Sequence, residues 1–236
     1  MVNKSRPILI TGVGKRIGFA LCRHFIQHGI PVIGTYRTHY DNLEELSDAD
    51  LVECDFYKQE DLNHLIDHVK SNHISLRGII HNASDWLPET SKHSPEDIFT
   101  KMMMIHAGVP YQLNLALKPL LENCELTTDI INITDYVVDK GSDKHIAYAA
   151  SKAALSNMTL SFSSLLAPKV KVNAIAPSLI MFNPEDDSAY KAKALDKSLL
   201  KIAPGTEEII KAVDYLLDSK YMTGRTLSLD GGRHIR

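Results

Sequence analysis

The sequence has little cysteine and no long hydrophobic run. Only three of its 236 residues are cysteines, and an odd number without a C-x-x-C pair argues against a disulfide framework. No apolar run approaches the length of a membrane-spanning helix, and the N-terminus lacks the apolar core of a signal peptide. These absences argue against a disulfide-rich secreted protein and favour a cytoplasmic one.

An excess of charge of one sign is also lacking. The formal net charge is -3, and no block of five or more like charges occurs. A nucleic acid or an anionic membrane requires a basic surface, so we expect neither as a partner. The histidines are scattered, and His24 and His28 have no third ligand close by in the sequence, so we expect no metal site.

Short apolar segments alternate with amphipathic segments along the chain. The former predict strands at 7–11, 31–36, 51–54, 78–81, 129–134, 170–174 and 226–229, and the latter predict helices at 17–28, 62–71, 98–121, 148–166 and 207–218. This alternation predicts a doubly wound, Rossmann-like α/β fold: a parallel sheet of about seven strands with helices on both faces. We expect one domain over residues 1–236, with a flexible excursion at 178–204 that covers the substrate site.

A glycine-rich turn follows the first predicted strand and leads into a helix, with the sequence Thr11-Gly12-Val13-Gly14-Lys15-Arg16-Ile17-Gly18. Glycines let the backbone approach a pyrophosphate, which the positive end of the helix stabilises. The second strand ends at Arg37, where NAD-selective folds usually have an acidic residue. Arg37, with Lys15 or Arg16, suits the 2′-phosphate of NADPH. The alternative for the glycine-rich turn is that it only starts a helix, and the alternative for Arg37 is a solvated surface arginine.

Tyr148 and Lys152 form the second chemical signal. Four residues apart on a predicted helix, they share one face, so the ammonium can lie close to the phenol and favour its ionised form. A tyrosine tuned in this way serves as an acid near neutral pH. The same spacing is also common among surface pairs, and by itself it decides little.

Together, in this order and separation, these two signals resemble the short-chain dehydrogenase/reductase family. Further segments match that family in order, and the resemblance runs almost the whole length of the chain: Asp55, Asn82-Ala83, Asn173 to Ser178, Thr223-Gly224-Arg225 and Asp230-Gly231-Gly232. The resemblance implies a homotetramer formed through the helices at 102–121 and 148–166. It also implies a cofactor site formed by Gly12, Gly14, Lys15, Arg16, Ile17, Gly18, Arg37, Asp55, Asn82, Ala83, Tyr148, Lys152, Pro177 and Ile180.

Three departures from the family pattern narrow the function. Asp135, thirteen residues before Tyr148, replaces the usual catalytic serine; Arg16 replaces a glycine of the turn; and His106 replaces an asparagine of the proton relay. Arg16 and Asp135 are similar to the versions found in pteridine reductases. In those enzymes an aromatic residue after the Asn-Ala-Ser segment holds the pterin ring against the nicotinamide, and Trp86, the only tryptophan, stands there.

The resemblance therefore implies NADPH-dependent reduction of a 7,8-dihydropterin, dihydromonapterin in the first place and dihydrofolate as a side activity. The expected catalytic residues are Tyr148, Lys152 and Asp135, and the expected substrate-binding residues are Arg16, Ser84, Trp86, Asp135 and Tyr148. We hypothesise that Asp135 shares a proton with Tyr148. Trp86 as a packing anchor and His106 as an ordinary core histidine stay open. Two alternative functions also stay open, namely a ketone reductase acting on a 3-oxoacyl thioester and a catalytically silent dinucleotide-binding regulator.

Overall fold

A single parallel sheet forms the centre of the molecule, for which a computed structural model describes residues 6–236. Its seven strands run in the spatial order β3-β2-β1-β4-β5-β6-β7, and every neighbouring pair is parallel. The strands are β1 (Ile8–Ile10), β2 (Val32–Tyr36), β3 (Asp50–Glu53), β4 (Gly78–His81), β5 (Thr128–Ile133), β6 (Val170–Pro177) and β7 (Thr226–Leu229). The predicted doubly wound fold is confirmed.

Helices cover both faces of this sheet. They are α1 (Arg16–Gln27), α2 (Gln59–Asn72), α3 (Pro95–Met103), α4 (Val109–Glu122), α5 (Val137–Lys140), α6 (Ile146–Leu166), α7 (Ser188–Leu195) and α8 (Glu207–Asp218), with short 3₁₀ helices at Asp41–Leu46 and Arg233–Ile235. Apolar side chains of α1 and α8 pack on one face, and those of α2, α3, α4 and α6 pack on the other.

The strands bury side chains on both sides, which explains why they read as continuous apolar runs. In β1, Leu9 packs into the core under α2 and α4, whereas Ile8 and Ile10 pack into the core under α1 and α8. Successive side chains of a strand point to opposite faces, so a strand that is buried on both faces needs mainly apolar residues. The strand order reverses between β1 and β4, and a crevice opens there at the carboxyl ends of the strands.

The helix predicted over 98–121 is in fact two helices joined by a wide turn. The chain forms α3, then a π-helical turn at Met104–Gly108, then α4. Pro110 has no N–H to donate to the carbonyl of His106, and its ring would collide with that carbonyl in an ordinary α-helix. The wider turn accommodates the proline and turns His106 inward, where it is 1% exposed.

The predicted excursion at 178–204 contains a helix that the sequence pattern did not indicate. This is α7, where the Asp187 side chain accepts a hydrogen bond from the Tyr190 N–H and so caps the first turn. Other bounds shift by a few residues, and β6 continues to Pro177. Within residues 6–236, no helix has the length and apolarity to cross a membrane.

Candidate active site

The crevice at the carboxyl ends of β1, β2, β4, β5 and β6 holds a cavity of about 460 Å³. Every residue that the sequence predicts for catalysis, cofactor binding or substrate binding lines this one cavity. They come from segments far apart in sequence, and they meet because the carboxyl ends of parallel strands meet at one edge of the sheet. The structure thus brings the predicted set together, while the role of each residue stays a prediction.

The glycine turn presents bare backbone to the cavity. Gly12 has φ +77°, and a Cβ there would lie 2.9 Å from Cα of Ala83. A Cβ on Gly18 would lie 2.0 Å from the carbonyl oxygen of Gly12, so only glycine fits at the start of α1. No side chain caps the N-terminus of α1, and its first turn holds no acidic residue. Its free N–H groups and the positive end of the helix dipole therefore suit a phosphate.

Arg16 stands in this turn with a left-handed backbone, at φ +55°. A left-handed backbone is strained for a residue with a Cβ, which explains why glycine usually occupies this position. Its guanidinium hydrogen-bonds to the side chain of Asn183 and, at 3.3 Å, to the carbonyl oxygen of Met181. Arg16 thereby connects the glycine turn to the excursion, a link that the sequence did not reveal.

Arg37 lies at the end of β2 with about half of its side chain exposed. Its guanidinium donates to the Asp85 carboxylate at 3.1 Å, and the Tyr57 hydroxyl donates to the same carboxylate at 3.1 Å. Asp85 was not singled out from the sequence, since nothing local connects it with a residue 48 positions earlier. The remaining N–H groups of the guanidinium are available to an anion.

Asp135 and Tyr148 are joined by a hydrogen bond. The Tyr148 hydroxyl donates to Oδ2 of Asp135 at 2.9 Å, while Oδ1 of Asp135 accepts from the Val137 N–H at 2.9 Å. Burial, and then the Asp135 charge, raise the pKa of Tyr148 well above its ordinary value, and burial also raises the pKa of Asp135. The two groups therefore titrate as a coupled pair in which the phenol keeps its proton at neutral pH, which corrects the expectation from the sequence that its ionised form is favoured.

Lys152 lies one turn along α6 from Tyr148 and is 2% exposed. Its ammonium donates to the carbonyl oxygen of Ile133 at 2.8 Å and lies 5.7 Å from the centroid of the Tyr148 ring. Burial lowers the pKa of Lys152 to about 8, so the side chain is mainly charged at neutral pH. Its positive charge stabilises negative charge on the pair formed by Asp135 and Tyr148.

His106 forms a chain of hydrogen bonds behind the phenol. The Ser151 hydroxyl donates to the Tyr148 carbonyl oxygen at 2.8 Å, so its own oxygen accepts from Nδ1–H of His106, also at 2.8 Å. Nε2 of His106 then accepts from the Ser84 hydroxyl at 2.8 Å. Burial, and then the Lys152 charge, hold the pKa of His106 well below its usual range, so the ring is neutral. Ser151 is a residue that the sequence gave no reason to single out.

Trp86 stands at the mouth of the cavity with 59% of its surface exposed. Its indole lies over the imidazole of His145, with ring centroids 4.0 Å apart and an interplanar angle of 32°. The indole is thus in contact with His145 on one side, while more than half of the surface of Trp86 is exposed to solvent at the mouth of the cavity. This exposure excludes the alternative in which Trp86 is a buried packing anchor within the chain.

Known proteins resemble this chain in both sequence and fold. The family model described as "Enoyl-(Acyl carrier protein) reductase" matches residues 12–234. A "Dihydromonapterin reductase" of Klebsiella pneumoniae subsp. pneumoniae is 55% identical over 99% of each chain, and one of Escherichia coli O6:H1 is 53% identical over 99% of each. "FolM Alternative dihydrofolate reductase 1" of Brucella canis, solved with NADP, is 26% identical, covers 100% of this chain and 96% of that chain, and superposes with a TM-score of 0.88. The chain belongs to the short-chain dehydrogenase/reductase family.

Proposed function

We propose that this protein reduces 7,8-dihydropterins with NADPH, with dihydromonapterin as its main substrate and dihydrofolate as a side substrate. The observation that carries the proposal is the hydrogen-bonded pair of Asp135 and Tyr148 in the same cavity as the exposed indole of Trp86. The names of the relatives, which are similar over nearly their whole length, support the same substrate class.

The residues of the cavity fit a nicotinamide dinucleotide. The glycine turn and the uncapped end of α1 suit its pyrophosphate, and the Brucella relatives were solved with NADP. Arg37 at the end of β2, where an acidic residue would select NAD, supports a 2′-phosphorylated cofactor. When bound, the cofactor supplies the hydride. Asp55, Asn82, Pro177 and Ile180 line the same cavity and complete the proposed cofactor site.

Trp86 holds the flat substrate by stacking. Offset stacking on a large aromatic ring adds about 0.5 to 1.5 kcal/mol beyond the burial of area. His145 supports the opposite face of the indole, so the platform is in place before a ligand arrives. Arg16 and Ser84 line the cavity beside it and supply polar partners for the substituents of the ring.

Tyr148 delivers the proton of the reaction. The ring carbon of the C=N bond gains a hydride and the ring nitrogen gains a proton, which the raised pKa of Tyr148 keeps available on the phenol at neutral pH. Asp135, hydrogen-bonded to that phenol, shares its proton, and after transfer the phenolate takes a new proton from solvent water, directly or through Asp135. Lys152 holds a positive charge nearby and limits the cost of charge on the phenolate.

A substrate panel tests this proposal. NADPH oxidation is followed with dihydromonapterin, dihydrobiopterin, dihydrofolate and an acetoacetyl thioester as separate substrates, and we expect turnover of the dihydropterins and little of the thioester. The thioester is included because a ketone reductase acting on a 3-oxoacyl thioester is an alternative function that the sequence leaves open. Turnover of the thioester alone would identify a ketone reductase, and no turnover of any substrate would leave a silent dinucleotide-binding module.

We also propose that the protein is a homotetramer formed through α4 and α6. Both helices expose large apolar side chains, Tyr111 and Leu115 on α4 and Leu160 and Leu165 on α6. Exposed large apolar side chains on these two helices support an interface through them. Sedimentation equilibrium gives the mass directly, and a monomer at micromolar concentration would contradict the proposal.

A further inference from the structure

A second, smaller cavity lies next to the active-site cavity, and cations form most of its wall. Its volume is about 300 Å³, and its lining residues are Tyr136, Lys140, Asp196, Lys197, Arg233 and Arg236. Tyr136 directly follows Asp135, which lines the larger cavity. Two consecutive residues after β5 therefore open onto the two cavities, so a ligand held beside Asp135 has the second cavity within a short distance.

Arg233 is held in position without an acidic partner. Its guanidinium lies over the ring of Tyr136, 4.3 Å from the ring centroid. Among residues 6–236, no carboxylate lies within ion-pair distance of it. Stacking on an aromatic face leaves the N–H edges of a guanidinium free, and those edges match a carboxylate or a phosphate.

The other cations around this cavity are also poorly neutralised. Asp196, the one carboxylate in the wall, is shared by Arg236 at 3.0 Å and Lys201 at 2.8 Å. Burial, and then the charges of Arg233, Lys193 and Lys144, lower the pKa of Lys197. The chain as a whole has a net charge of -3, so this accumulation of positive charge is local. A site with uncompensated cations attracts an anion.

We propose that this second cavity binds an anionic group on the side chain of a dihydropterin whose ring occupies the active-site cavity. The group is a carboxylate of a glutamyl tail, as in dihydrofolate, or a phosphate ester. The proposal rests on the dihydropterin reductase function and assigns to it a subsite that recognises an anionic side chain. Dihydromonapterin has a neutral side chain and gains nothing from the cations, which makes it the reference substrate.

The double variant Lys140→Gln/Lys197→Gln tests the subsite, with Lys70→Gln/Lys211→Gln as the matched control. The control removes two exposed lysines of α2 and α8 that line neither cavity. Arg233 stays intact because its charge also acts on Asp135. We expect the ratio of kcat/KM for dihydrofolate to kcat/KM for dihydromonapterin to fall about tenfold in the test variant and to stay constant in the control, because a charge-assisted contact is lost.

Further measurements separate the sources of the anion. A dihydropterin with a phosphate ester on its side chain is measured in the same way. If the ratio of kcat/KM values falls in the test variant for dihydrofolate alone, carboxylates are the ligand. If it falls for the ester alone, the ligand is phosphate. Raised salt weakens the preference in the wild-type protein, because the cations are partly exposed. Unchanged ratios for both anionic substrates would overturn the subsite.

Failure of the proposed function would be recognisable separately. In that case the wild-type protein turns over no dihydropterin at all. Calorimetric binding of folate to the wild-type protein and to the test variant, with the nicotinamide cofactor present, then decides the subsite by itself. A dissociation constant about tenfold higher in the variant supports the subsite, and equal constants overturn it.

Discussion

Replacing Asp135 with serine restores the residue usual in the family and removes one partner of the pair with Tyr148. The lost contact is a 2.9 Å hydrogen bond to a largely buried carboxylate, a kind that contributes about 1.5 to 3 kcal/mol. Since each 1.36 kcal/mol is a factor of ten in rate, we expect kcat for dihydromonapterin to fall about ten- to a hundredfold in Asp135→Ser. The ionisation that Asp135 contributes should also disappear from the pH profile of kcat/KM.

The assay is NADPH oxidation at saturating substrate across a series of pH values, with two accompanying variants. Asp135→Asn keeps an oxygen that can accept from the Val137 N–H, so it separates loss of charge from loss of the local turn. Asp139→Ser removes an exposed carboxylate four residues away that does not line the cavity. Wild-type kcat together with a wild-type pH profile in Asp135→Ser would refute the shared proton.

Four further predictions concern single residues: Trp86, Arg37 and Lys152 line the same cavity, and His106 lies directly behind its phenol. Trp86→Leu should raise KM for the dihydropterin about three- to tenfold and leave cofactor binding unchanged, whereas Trp86→Phe should retain most of the affinity, as titration with each ligand would reveal. Arg37→Met should raise KM for NADPH about tenfold or more and leave that for NADH nearly constant; equal effects on both would contradict the 2′-phosphate role. His106→Phe removes one hydrogen bond from each of the Ser84 and Ser151 hydroxyls and should cost about 1 to 3 kcal/mol in the free energy of unfolding, measured by denaturant titration. Because burial lowers the pKa of Lys152 to about 8, its charge is present below that pH, and kcat/KM should decline as pH rises through about 8; a profile flat to pH 10 would contradict this.

The fold could be predicted because the strands of this sheet are buried on both faces. In β4, Ile79 and Ile80 pack into opposite halves of the core, so apolar side chains are needed on both faces of the strand. Once such segments alternate with helices, the carboxyl ends of the strands lie at one edge, and residues that follow them meet in one crevice. That topological rule accounts for residues that follow strands, such as Gly12 and Asn82, whereas the resemblance to the family was what assigned Tyr148, on α6, to the same cavity.

Pairs of side chains from different segments could not be predicted in this way. Nothing near Trp86 in the sequence indicates that His145 supports its ring, and nothing near Arg37 indicates that Asp85 is its partner. Such pairs depend on where loops end in space, and no periodicity encodes this. The π-helical turn is a different case, because Pro110 four residues after His106 was a visible signal that a regular helix could not continue there.

The three departures from the family pattern share a physical property, which is that each carries a cost. Arg16 has a left-handed backbone, a conformation that costs about 1 to 3 kcal/mol outside glycine. Asp135 is a carboxylate whose burial raises its pKa, and His106 is a buried ring that must find two hydrogen-bond partners. All three line one cavity or lie directly behind its phenol. Costs that gather around one site indicate that the site has a function, and the resemblance of Arg16 and Asp135 to the versions found in pteridine reductases is what led to the proposal of a dihydropterin.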